Sequence, residues 1–80
     1  MKAYILINVR IGSIGEVIRH LRRVENVLEA NMTFGPYDAV AIIRADDTNH
    51  LGCLMAEVVQ PIPGITETLT CLAVEEVGRK

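Results

Sequence analysis

The chain has 80 residues, 50% of them hydrophobic and 22% charged, which suits one compact domain and excludes a disordered segment. Eight Lys and Arg stand against ten Asp and Glu, a net charge of −2 that lacks the basic footprint of nonspecific nucleic-acid binding. Only Tyr4, Phe34 and Tyr37 are aromatic, too few for a base-stacking sheet.

Ala3 to Val9 is an aliphatic, β-branched run bounded by Arg10 and Gly12, and predicts a central strand. At Asn8 it becomes polar, too early for a membrane span or a signal-peptide core, so the expected location is the cytoplasm. Ser13 and Glu16 have capping-box spacing. Behind them Ile14, Val17, Ile18, Leu21 and Val24 recur at helical intervals, predicting a helix from about Ser13 to Arg23. His20 with Arg19, Arg22 and Arg23 lies off that stripe and reads as a solvated face.

From Val24 to Thr33 the period becomes two, with Leu28, Ala30 and Met32 forming the apolar face of a second strand. Phe34 to Asp38 is a turn, and Ala39 to Arg44 a third strand, closing a hairpin. Asp46, Asp47 and Thr48 can cap a second helix, whose stripe Leu51, Leu54, Met55, Val58 and Val59 ends near Gln60, before Pro61. A fourth strand runs from Ile65 to Val77, with Thr66, Thr68 and Thr70 on one parity, in a domain of residues 1–77 followed by a tail, 78–80.

The order βαββαβ predicts an α+β, ferredoxin-like plait: a four-stranded antiparallel sheet of order 4-1-3-2 with both helices on one face. Strands one and three are apolar on both parities apart from Asn8 and Arg44, which predicts a dimer through the open sheet face. The loop after strand one, the Gly35 to Asp38 turn and the start of strand four share one end of the sheet. Strands two and four are opposite edges, roughly 14 Å apart, so one ligand touching both Tyr37 and Thr68 would bridge two subunits.

His50, Cys53 and Glu57 share the outer face of the second helix, but three groups without a CxxC pair read as a polar surface, and no metal site is assigned. Cys53 and Cys71 read as free thiols. No nucleophile is paired by spacing with a histidine, so the chain is read as no enzyme and no cofactor is expected. In the turn, Gly35 permits positive φ, Tyr37 offers an apolar wall, and Asp38 can accept hydrogen bonds from an ammonium or from the turn's own backbone.

The hairpin Thr33-Phe34-Gly35-Pro36-Tyr37-Asp38, the following Ala39-Val40-Ala41-Ile42-Ile43, and Ile62-Pro63-Gly64-Ile65-Thr66-Glu67-Thr68-Leu69-Thr70 resemble the G-x-Y-D hairpin and P-G-V-x-x-T strand of the effector-binding (RAM) domain of the Lrp/AsnC family. The resemblance covers about Met1 to Val77, with Val24-Glu25-Asn26-Val27 replacing a common Pro-Gly-Val turn. It implies a stand-alone module lacking the helix-turn-helix, without direct DNA binding. It also implies a homo-oligomer of dimers and larger rings, and a free amino acid or similar small molecule bound by Gly35, Tyr37, Asp38, Thr66 and Thr68. Full-length Lrp/AsnC regulators are the implied partners, with a role in regulating transcription or metabolism. The competing expectations are a small enzyme of the dimeric α+β barrel type, which shares the plait, and an interaction subunit that binds no ligand.

Overall fold

In a computed structural model, describing residues 1–74, the order is β1 (Lys2–Val9), α1 (Ile14–Arg22), β2 (Val27–Met32), β3 (Ala39–Arg44), α2 (Thr48–Leu54), a π-helical turn (Met55–Val59) and β4 (Ile65–Leu72). The sheet is antiparallel between neighbours, in order β2-β3-β1-β4, the expected plait read from the other edge. The predicted strand end at Val77 and the tail 78–80 lie outside the described residues.

Alternation decides which face each strand residue takes. Ala3, Ile5 and Ile7 of β1 and Ala39, Ala41 and Ile43 of β3 are buried against Val17, Ile18 and Leu21 of α1 and Leu51, Leu54, Met55 and Val59 beyond β3. Alanines opposite each other, Ala30 on β2 and Ala41 on β3, leave room for α1 to lie close over that edge of the sheet. The other parity, Tyr4 and Leu6 of β1, Val40 and Ile42 of β3, and Leu69 of β4, faces away from the helices.

Four expectations need correction. The capping box does not form: Ser13 makes no side-chain cap bond, and Glu16 instead binds Arg19 at 2.8 Å. Strand two begins at Val27 rather than Val24, because Val24 and Val27 continue the end of α1 as tight turns, their amides bonding the carbonyls of Leu21 and Val24. A bulge at Leu28 then moves Val27 to the helix side with Ala30 and Met32, so Leu28 is not part of that face. The second helix widens after Leu54 into a π turn, where the Gln60 amide bonds Met55 O at 2.8 Å, just before Pro61 removes the next donor. The threonine row is also broken. Val9 pairs with Ile65 and Asn8 with Glu67, which leaves Thr66 as the unpaired extra residue, while Thr68 and Thr70 sit opposite Ile7 and Ile5 on the helix side.

The predicted cap at the start of α2 is present, with Asp47 accepting from the His50 amide at 2.8 Å.

Gly64 joins the π turn to β4 with φ +102, and a Cβ built there would lie 2.7 Å from Ser13 Cβ and 3.1 Å from Val17 Cγ2. Both the backbone conformation and the contact with α1 require glycine. Gly64→Ala is expected to lower stability by about 2–4 kcal/mol in urea unfolding, with an unchanged m value.

Candidate functional site at one end of the sheet

Phe34 to Asp38 close the β2–β3 hairpin through side chains as well as backbone. Thr33 donates its hydroxyl to Tyr37 O at 2.8 Å and its amide to Asp38 O at 3.0 Å. Gly35 lies between them at φ +145, a conformation that a side chain would strain although open space surrounds it.

Asp38 reaches across to the neighbouring strand. Its amide donates to Ile7 O at 2.9 Å, and its Oδ2 accepts from the Val9 amide at 2.8 Å. One residue on, the Arg10 amide donates to Gly64 O at 2.7 Å. The end of β1 is therefore held on one side by the hairpin and on the other by the segment leading into β4. This brings the Asp38 carboxylate and the bulged Thr66 to the same strand end, two strand spacings apart, or about 10 Å.

Thr68, half-buried, lies further along β4, where the Gln60 amide group donates to its hydroxyl at 3.4 Å. Tyr37 is half-buried and Asp38 and Thr66 are exposed. Of the five predicted residues, Gly35, Tyr37 and Asp38 are brought together by the hairpin, and Thr66 approaches them across β1. Thr68 points to the helix side of the far edge. Depressions of the described surface along α1 and β2, and beside Met1 and Val74, are lined by other residues. A single copy thus presents Gly35, Tyr37, Asp38 and Thr66 at one open end of the sheet, with Thr68 turned away from them.

The sequence reading missed three participants: the Val9 amide, Gln60 and Arg22. The amide carries no side-chain signal, whereas a Gln directly before Pro61, at the end of an amphipathic helix facing a threonine strand, was a usable one. Arg22 was read as part of a solvated cluster, but its guanidinium donates to Ala30 O at 3.0 Å and so occupies the free edge of β2. His50, considered as a metal ligand, accepts from the Asp46 amide at 2.9 Å through Nδ1, a role within the start of its own helix. No helix among the described residues is long and apolar enough to cross a membrane.

The Asp38 contact separates two roles of that carboxylate. Asp38→Asn keeps an oxygen for the Val9 amide and is expected to melt within about 2 °C of the parent, whereas Asp38→Ala loses the acceptor and about 1 kcal/mol, or roughly 4–8 °C. Equal melting temperatures for the two variants would show that the bond does not hold the strand end.

Residues 2–80 match the family model described as the Lrp/AsnC ligand binding domain. The HTH-type transcriptional regulator FL11 of Pyrococcus abyssi is 35% identical over 75 residues, 94% of this chain and 49% of the regulator, so the chain spans about half the length of the curated relatives it matches. TTHA0845 of Thermus thermophilus superposes with a TM-score of 0.89 at 27% identity, covering 98% of both chains. The transcriptional regulator NMB0573 of Neisseria meningitidis, solved as an L-Met complex, superposes at 0.84 with 15% identity, covering 98% of this chain and 52% of its own. With this match over nearly its whole length, the chain belongs to the Lrp/AsnC ligand binding domain family.

Proposed function

We propose that this domain is a cytoplasmic, nonenzymatic sensor that binds a free amino acid or a similar small molecule and acts through assembly, regulating transcription or metabolism with Lrp/AsnC-type partners. The observation that carries the reading is the family match over residues 2–80, set beside a sheet end at which Gly35, Tyr37, Asp38 and Thr66 converge. The related regulator solved with L-Met supports the ligand class.

An amino acid presents an ammonium and a carboxylate, so its site needs an acceptor beside amide or hydroxyl donors. Asp38 Oδ1 supplies the acceptor, since Oδ2 is engaged by Val9, and the turn amides with the Thr66 and Thr68 hydroxyls supply the donors. Because Thr68 lies on the far edge, the second wall comes from another copy, and the ligand sits between dimers. Those dimers form through the open face bearing Tyr4, Leu6, Val40, Ile42 and Leu69. Aliphatic side chains fill the space between helices and sheet, where an α+β barrel enzyme would keep its pocket.

Isothermal calorimetry against the common amino acids tests the site. Asp38→Asn and Thr68→Val are each expected to weaken the best ligand roughly tenfold or more. Unchanged affinity in both moves the site elsewhere, and no binding by the parent favours a ligand-free interaction subunit. For the dimer, Ile42→Asp is expected to lower the assembly mass in sedimentation while the chain stays folded, whereas Ile43→Asp, at a position 1% exposed, should unfold the chain. An assembly mass left unchanged by Ile42→Asp overturns the sheet-face interface. The 80-residue chain should also leave duplex DNA unshifted in a mobility assay at about 150 mM salt, and sequence-selective retention would contradict this.

A further inference from the structure

Gln60 follows the π turn Met55–Val59 directly and is the last residue before Pro61. In an unbroken α-helix each residue turns by about 100°, so the stripe Leu51, Leu54, Met55 and Val58 would leave Gln60, two residues past Val58, on the outer face. The wider turn changes that order. Val59 is fully buried and Val58 only partly, and Gln60, the next residue, comes to the flank of the helix beside β4. Widened turns of this kind are frequent at functional positions.

From that flank Gln60 Nε2 donates to Thr68 Oγ1 at 3.4 Å. A threonine hydroxyl has one hydrogen to give and two positions at which to accept. With the amide occupying an accepting position, the Thr68 hydrogen is left for a different acceptor, and among the described residues it has none. Thr68 is half-buried and Gln60 exposed, so that hydrogen is open to a ligand. The end of the π turn carries no basic residue, and an anion placed there meets neutral donors.

We propose that Gln60 is a positioning residue of the β4 wall, whose amide holds the Thr68 hydroxyl as a hydrogen-bond donor to the carboxylate of a bound amino acid. This assignment rests on the amino-acid reading above and gives the ligand a direction. Asp38 of one copy takes the ammonium, and Thr68 of another, set by Gln60, takes the carboxylate through a charge-assisted bond. A ligand without a carboxylate therefore gains nothing from the β4 wall. Glutamate in place of Gln60 inverts the arrangement, because its carboxylate accepts the Thr68 hydrogen and repels the carboxylate of the ligand.

Calorimetry on the 80-residue chain tests this with two probes: the common amino acid that binds best, and the amine left when its carboxyl group is removed. Gln60→Ala is expected to weaken the amino acid roughly three- to tenfold and Gln60→Glu roughly tenfold or more. Both variants should melt within about 2 °C of the parent, since the side chain is exposed. Neither should weaken the amine, so the preference for acid over amine narrows in Gln60→Ala and narrows further in Gln60→Glu. In a Thr68→Val background, Gln60→Ala should cost nothing more. Equal losses for acid and amine would reduce Gln60 to a structural role, and a further loss in the Thr68→Val background would make it a direct contact; either overturns the proposal. Parent-like affinity in both Gln60 variants, with Asp38→Asn still weakened, overturns it and leaves the sensor reading standing. No binding of any amino acid by the parent overturns both.

Discussion

The end of β1 is where the two halves of the fold meet, because its consecutive amides donate in opposite directions. Val9 gives its hydrogen bond to the Asp38 carboxylate and Arg10 gives its own to Gly64 O, at 2.8 and 2.7 Å. The first fixes the hairpin that begins β3, and the second fixes the entry into β4 on the far side of the sheet. Between them the strand makes the shift that leaves Thr66 unpaired. A side-chain acceptor at Val9 is needed because the regular β1–β3 ladder ends at Ile7 and Ala39, and an amide left without a partner costs free energy. The positive φ of Gly64 and its close approach to Ser13 complete the joint from the helix side.

From that joint the central strands run through the molecule with apolar side chains on both faces. The odd-numbered residues of β1 pack under the helices, while Tyr4 and Leu6 on the other parity have no helix above them. In a chain of this size a single helix–sheet layer buries a modest fraction of its surface, so the uncovered face is a large part of the available apolar area. The two edges are treated differently. The Arg22 guanidinium occupies Ala30 O on β2 and so hinders another strand from adding there. Association through side-chain faces, rather than by strand addition at β2, is what this arrangement favours.

Elements whose signal is repeated over many residues were legible in the sequence. The doubly apolar runs Ala3 to Val9 and Ala39 to Arg44 fixed the centre of the sheet, and the stripes of Val17, Ile18, Leu21 and of Leu51, Leu54, Met55 fixed the helix faces. Features set by one residue against a distant partner were not legible. Ser13 and Glu16 had the spacing of a capping box, but an arginine one turn on took the glutamate, as exposed side chains with several partners allow. The bulges at Leu28 and Thr66 each moved a residue off its expected parity, since a strict period of two carries no information about an inserted residue. In the site, the turn chemistry of Gly35 and Asp38 was visible and the alternative of a bond to backbone was foreseen. That the amide would belong to β1, 29 positions away, depended on the register.

The position of Asp38 also bears on how a ligand and the fold would share one carboxylate. With Oδ2 on the Val9 amide, the group is already oriented, and orienting it is part of what binding otherwise costs. Oδ1 has no partner among the described residues at the sheet end that Thr66 approaches, so a cationic group there can meet the oriented carboxylate without displacing the Val9 amide. A ligand held this way adds its binding free energy to the state in which Asp38 clamps the strand end. If its other wall belongs to a second copy, the same free energy appears as a shift in assembly, because linkage requires that whatever prefers the associated state also stabilises it. A hairpin that clamps the end of β1 and also carries the residues proposed to meet a ligand places folding and the proposed binding within five residues of one another.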